Sequence, residues 1–177
     1  MKNSSARQSV RKLCLVALFL GLNIVLSSSI FSVPVPGGHM YLNDIVICFA
    51  ALVFDPISAI IVGGIGAFLG DLIFYPTPMF VSLVTRSVQA LVIALIVLRR
   101  KNAKFPRLWR SALALLAGAV IMVVGYSLGR AFIYSTPEYA WLKLPFQIAQ
   151  AVFGAVVALV LLYATPLKKF VKNFSRF

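Results

Sequence analysis

Six long apolar runs, separated by short segments rich in proline, glycine, aromatic or basic residues, organise this chain. A helix needs about 20 mainly apolar residues to cross a bilayer. On that measure the runs predict spans at about Leu13–Phe31, Leu42–Phe54, Ile57–Tyr75, Met79–Leu98, Ser111–Tyr134 and Leu144–Ala164. The second is short, so it extends back through the preceding loop, lies tilted, or fails to reach one face. The break after it falls in Phe54–Ile57, where Pro56 cannot continue a helix interior. The fold class is therefore an all-α integral membrane protein, with six transmembrane helices in one bundle. No internal repeat or low-complexity linker divides it, so residues 1–177 are expected to form a single membrane domain.

Two stretches depart from plain apolarity. Between the first two runs lies VPVPGGHMYLND (Val33–Asp44), with two prolines, two glycines and the only histidine of the chain. It is predicted to be a hydrogen-bonding loop, with Asn43 or Asp44 as N-cap of the second helix. In the third run, Gly63, Gly64, Gly66, Ala67 and Gly70 form a face of small residues, which lets helix backbones approach closely in lipid. The same string looks like a glycine-rich nucleotide fingerprint, but it follows no strand and lies in mid-span.

Composition agrees with the pattern. The chain is 61% hydrophobic and 12% charged, with a mean hydropathy of +0.97. Soluble domains are roughly 45–50% apolar and about 25% charged. The apolar runs recur to the C-terminus, so no cleaved signal peptide is expected. Cys14 and Cys48 both fall inside apolar runs and are expected to be buried thiols, giving neither a disulfide nor a metal site.

The net charge of +13 raises the question of a nucleic-acid partner. Its distribution answers it. Fourteen of the seventeen Lys and Arg residues lie before the first run, between the fourth and fifth, or after the last. The positive-inside rule accounts for that placement, with both termini cytoplasmic and no nucleic acid involved. The segments at the opposite end carry Tyr41, Tyr75, Tyr134, Tyr139 and Trp141, placed as an interfacial belt would be, with Trp109 at the inner face.

Charges inside a span are costly and face a cavity or a partner. Asp71 and Arg86 either neutralise one another or point at a bound solute. Arg130 either snorkels to the outer interface or joins them. Gln89 shares a helical face with Arg86, and Gln147 and Gln150 repeat that spacing. Amides donate and accept, which suits a neutral, hydrogen-bonding ligand as well as it suits helix–helix contacts. Asn23 is expected to bond between helices. His39, Tyr41 and Asn43 complete the candidate binding residues. Catalytic signatures are missing: no Gly-x-Ser-x-Gly, no His-Glu-x-x-His, no phosphate-binding loop, and only four acidic residues. A small membrane enzyme or a structural membrane subunit would have to act without them, and energy for transport must come from elsewhere.

The order of ALFLGLNIVLS, PGGHMYLND, FDPISAIIVGGIGAFLGDL, RSVQALVIAL and LPFQIAQAVFGAVVALVLLY resembles the substrate-binding S component of energy-coupling factor (ECF) vitamin transporters over nearly the whole chain. The resemblance implies a subunit of the cell membrane with no ATPase or cofactor of its own. It would bind one vitamin in an outer cavity under a lid formed by the first loop, and work with a transmembrane coupling subunit and two cytoplasmic ATPases. A small-xxx-small motif on the first span, here Ala17 and Gly21, would dock the coupling subunit; the alternative is packing inside the bundle. The chain looks most like the branch for small heteroaromatic vitamins or precursors, such as pyridoxine or hydroxymethylpyrimidine. Pantothenate, which Arg86 or Arg130 could pair with, stays open. Riboflavin and cobalamin would ask for a larger cavity.

Overall fold

A computed structural model describes residues 2–36, 38–98 and 107–164. The basic segment 99–106, the basic tail beyond 164 and Gly37 lie outside the described residues. Six helices follow one another: α1 (Lys2–Leu26), α2 (Asn43–Val53), α3 (Pro56–Phe74), α4 (Met79–Leu98), α5 (Leu108–Tyr134) and α6 (Pro137–Tyr163). A short antiparallel hairpin, β1 (Ser32–Val35) and β2 (Gly38–Tyr41), joins α1 to α2.

The hairpin replaces part of the loop expected between the first two helices. Its register pairs Ser32 with Tyr41 and Val35 with Gly38, which leaves residues 36–37 as the connection. Pro34 is tolerated because a two-stranded ribbon is all edge. Among the described residues, five helices are long and apolar enough to cross a membrane, α1 through its Ser9–Leu26 stretch. Helix α2 has 11 residues, which at 1.5 Å each is roughly 16 Å against a hydrocarbon core of about 30 Å.

Other boundaries shift less. Helix α1 starts well before Leu13 and ends at Leu26, and α6 begins at Pro137, so most of the expected loop over residues 134–143 is helix. Cys14 is exposed and only Cys48 is buried, correcting the reading of two buried thiols.

Nine of the eleven residues of α2 are buried, and a helix apolar on all sides is one the bundle encloses. It packs on α6, α4, α1 and α3, while α4 packs on α5 and α5 on α6. Its Ile47 is fully buried, as are Ile93, Leu115 and Leu162 of the surrounding helices. Phe19 of α1 stacks on Phe49 at 5.7 Å and meets Phe54 edge-on at 5.4 Å. At the end away from the hairpin, Asp55 caps α3 by accepting from the Ser58 backbone N–H and pairs with Lys12 of α1 at 2.6 Å. Burial pushes the Asp55 carboxyl up, but its bonds from Lys12 and Ser58 outweigh that and hold it below the usual carboxylate range.

The small face of α3 serves two neighbours. A Cβ at Gly63 or Gly64 would meet Ala90 or Ser87 of α4, and one at Gly66 or Gly70 would meet Asn23 of α1 or Ser27 just past its end. Asn23 Nδ2 donates to the Val62 carbonyl at 2.6 Å, the interhelical bond expected of it. Helix α3 widens into a π turn over Ile61–Ile65, beside these close approaches.

Gly154 of α6 and Gly21 of α1 make a contrasting pair. A Cβ on Gly154 would lie 2.7 Å from the Asp44 Cβ and 3.3 Å from its backbone carbonyl carbon, whereas one on Gly21 meets nothing within 4 Å. Gly154→Ala is expected to cost about 1–3 kcal/mol by forcing α2 off α6. Gly21→Ala is expected to leave the midpoint of thermal unfolding in detergent unchanged. Equal melting of the two variants would refute this account of the α2–α6 contact.

Candidate functional site

A cavity of about 450 Å³ opens at the hairpin end of the bundle. It takes residues from β2 (His39, Tyr41), α2 (Asn43), α3 (Asp71), α4 (Arg86), α5 (Met122, Tyr126, Arg130, Tyr134) and α6 (Tyr139, Lys143, Gln147, Gln150), with Tyr75, Pro78 and Ser135 from the connections.

The floor is built on a buried ion pair. Arg86 of α4 and Asp44 of α2 are 2% and 1% exposed. Arg86 Nη1 donates to Asp44 Oδ1, and Nη2 to Oδ2 at 3.1 Å, the two-pronged geometry that a planar guanidinium gives a carboxylate. Gln150 Nε2 of α6 donates to the same Oδ2, and Gln89 Oε1 accepts from Arg86 Nη1 at 2.9 Å. Arg86 Nε reaches the Tyr126 hydroxyl at 3.3 Å, with the guanidinium carbon 5.1 Å from the ring centroid. Tyr126 donates to Ser82 Oγ at 2.6 Å, and Ser82 donates to Asp71. One hydrogen-bonded chain thus runs from Asp44 to Asp71 across four helices.

This arrangement corrects two expectations. Asp71 does not neutralise Arg86: it accepts from Ser82, and Asp44 is the partner. Neither Asn43 nor Asp44 caps α2. The capping position is Leu42, without a side-chain bond, because Asp44 is taken by Arg86 and Gln150 and Asn43 Nδ2 donates to Ser27 Oγ at 2.9 Å. Ser27 spends its own proton on the Asn23 carbonyl at 2.9 Å, so the atom facing it must be the Asn43 donor. Asn43 Oδ1 is left buried with no partner among the described residues.

The hairpin roofs the cavity through backbone atoms. Tyr41 N–H donates to Gln150 Oε1 at 3.3 Å, and Lys143 Nζ donates to the His39 carbonyl at 2.8 Å. Burial, then the nearby charge of Asp71 and Tyr75, pushes the Tyr41 phenol up to about 12, so it stays a donor at neutral pH. The far wall is a π turn, Arg130–Tyr134, in which Arg130 Nη2 reaches the Tyr134 hydroxyl at 3.4 Å. Such widened turns recur at functional sites. Gln147 donates to the Met122 and Val123 carbonyls at 3.4 and 3.3 Å, tying α6 to α5.

Of the nine candidate residues, His39, Tyr41, Asn43, Asp71, Arg86, Arg130, Gln147 and Gln150 line the cavity. Gln89 stands behind Arg86, its amide nitrogen 4.0 Å from Cys48 Sγ. Tyr75, Tyr134 and Tyr139, read from sequence as an interfacial belt, face the cavity. Reading residue by residue missed Asp44, Tyr126 and Lys143. A helical spacing held the signal: Tyr126, Arg130 and Tyr134 recur every four residues on α5, and Lys143, Gln147, Gln150 and Gly154 every three or four on α6. Ala17 is exposed and Gly21 faces open space, so the small-xxx-small pair is not used inside the bundle.

The family model of the ECF-type riboflavin transporter S component matches residues 7–169. The chain belongs to that family. A Pyrococcus woesei protein, described as an uncharacterized protein in gap 3′ region, is 27% identical over 136 residues, 76% of this chain and 88% of its own length. This S component is accordingly a multi-pass membrane protein and the substrate-binding subunit of a vitamin transporter. Its family works with coupling and ATPase subunits.

The Asp44–Arg86 pair yields an ordering of variants. Arg86→Gln strands a buried carboxylate and Asp44→Asn a buried guanidinium, and each single change is expected to cost about 3–5 kcal/mol. The double variant, with no charge left, is expected to unfold at a higher temperature than either single. A double variant as unstable as the sum of the singles would mean that the two residues do not act as a pair.

Proposed function

We propose that this subunit takes a small heteroaromatic vitamin or precursor from the outside, a vitamin B6 vitamer such as pyridoxine or hydroxymethylpyrimidine. The hairpin end would face out and both termini the cytoplasm. The observation that carries the reading is the cavity under the hairpin, walled by tyrosines and amides. Tyr41, Tyr75, Tyr126, Tyr134 and Tyr139 offer ring faces for a planar ligand. Asn43 Oδ1 is free to accept from a hydroxyl or ring N–H. The volume, about 450 Å³, sits inside the roughly 300–1,000 Å³ range of small-molecule sites. It therefore also admits riboflavin, the vitamin in the family's name, which sequence reasoning set aside on size. Pantothenate is the second reading, favoured by Arg130, whose Nη1 has no partner among the described residues.

The hairpin is the natural lid. Its bonds to Gln150 and Lys143 run through its backbone, so they can break and reform without disturbing the Asp44–Arg86 floor. Energy would come from a transmembrane coupling subunit and two cytoplasmic ATPases, with Ala17 and Gly21 as the contact on α1. A scaffold has no use for such a cavity, and a small membrane enzyme would need a catalytic acid or nucleophile that no catalytic motif of the sequence supplies.

Two measurements test this. Protein purified in detergent from cells grown in rich medium is denatured, and the released small molecules are identified by mass spectrometry. One vitamin at close to one-to-one stoichiometry is expected. An empty extract, with no binding of pyridoxine, hydroxymethylpyrimidine, pantothenate or riboflavin, would overturn the reading. Separately, Gly21→Leu is expected to abolish co-purification with the coupling subunit while leaving vitamin affinity unchanged; retained co-purification would take Ala17 and Gly21 out of the contact.

A further inference from the structure

We infer that the ligand of this cavity carries an anionic group, a carboxylate or a phosphate, bound by Arg130 with Lys143 beside it. The inference rests on the vitamin-binding reading and narrows it to anionic vitamers.

Charge in the cavity is out of balance. Arg86 is matched by Asp44, which leaves Arg130 and Lys143 against one carboxylate, Asp71. Asp71 accepts from Ser82 and makes no ion pair with either cation among the described residues. Lys143 lies near enough to feel the charge of both Arg130 and Asp71. Glu138 is exposed and does not line the cavity. A net positive charge therefore remains in the cavity, with Arg130 on the far wall and Lys143 against the hairpin.

The cations are also buried. Arg130 is 8% and Lys143 9% exposed, so bulk water does not screen them as it screens a surface arginine. Arg130 uses Nη2 on Tyr134 and sets its guanidinium carbon 5.7 Å from that ring, while Nη1 has no partner among the described residues. An unsatisfied guanidinium N–H in an enclosed site is costly to leave and strongly binding when met. Its planar fork fits a carboxylate or phosphate oxygen pair, and Lys143 adds a point charge with donors beyond the one given to His39. Snorkelling, the alternative for Arg130, would require a side chain reaching to solvent.

Matched ligands that differ only in charge test this on the wild-type protein stripped of endogenous ligand. Titration calorimetry compares pyridoxine with 4-pyridoxate and pyridoxine 5′-phosphate, pantothenol with pantothenate, and riboflavin with its 5′-phosphate. At least one anion is expected to bind roughly thirty-fold or more tighter than its neutral mate. The carboxylate and phosphate arms tell which oxyanion is preferred. Arg130→Gln, or Lys143→Met should that variant fail to fold, is expected to weaken the anion more than its neutral mate and so shrink the preference. Neutral mates that bind as tightly as every anion, or a preference that survives both substitutions, would overturn the inference and leave the vitamin reading standing. Binding by no member of the panel would remove the vitamin reading and this inference together.

Discussion

The buried pair of Asp44 and Arg86 is the constraint on which the rest of this molecule depends. Two opposite charges removed from water are stable only when their geometry is close and their remaining hydrogen-bonding sites are filled. Arg86 therefore meets the carboxylate with two nitrogens, Gln150 adds a third bond, and Gln89 and Tyr126 take the remaining reach of the guanidinium. These residues come from α2, α4, α5 and α6, so satisfying one ion pair fixes four helices. Helix α2 is too short to cross a bilayer alone, and this pair together with its apolar sides explains how it is held at the centre. Gly154 is part of the same requirement, since only a glycine lets α6 come close enough to the Asp44 backbone.

A rigid floor and a loosely tied roof follow. Polar side chains that are fully satisfied inside a low-dielectric bundle rigidify it, and the chain from Asp44 through Arg86, Tyr126 and Ser82 to Asp71 is of this kind. The hairpin, by contrast, meets α6 through a backbone N–H and a backbone carbonyl. Bonds of that type fix position without demanding particular hairpin side chains. His39 and Tyr41 are thus free to face the cavity, where their identity matters to a ligand.

The sequence was most legible where one physical rule acted alone. Bilayer thickness set the helix over Met79–Leu98 to the residue, and the small residues at Gly63, Gly64, Gly66 and Gly70 marked the close contacts of α3. Legibility failed where two rules competed. Ser-Val-Pro-Val reads as a proline-marked loop, yet pairing with Gly38–Tyr41 makes it a strand. Asp44 at the start of a helix reads as a cap, yet a charge 42 residues away claimed it. Asp71 reads as the partner of Arg86 because both are charges in neighbouring spans. Which carboxylate reaches the guanidinium is decided by where α2 sits in the bundle, and no local pattern encodes that. Tyr134 and Tyr139 were assigned to the interface because tyrosine favours it, although the same spacing turns them toward the cavity.

The distribution of charge links the fold to the function more closely than any single motif. Fourteen cations lie in the segments flanking the apolar runs, where they orient the chain in the membrane. The three that remain are Arg86, Arg130 and Lys143, and all three line the cavity. Of the four acidic residues, Asp55 pairs with Lys12 at the opposite end and Glu138 is exposed, which leaves Asp44 and Asp71 for the site. Ionisable groups are kept within spans only where a partner or a function offsets their cost. Three cations and two carboxylates converging under one hairpin mean that the cavity is where this bundle departs from what folding in lipid requires.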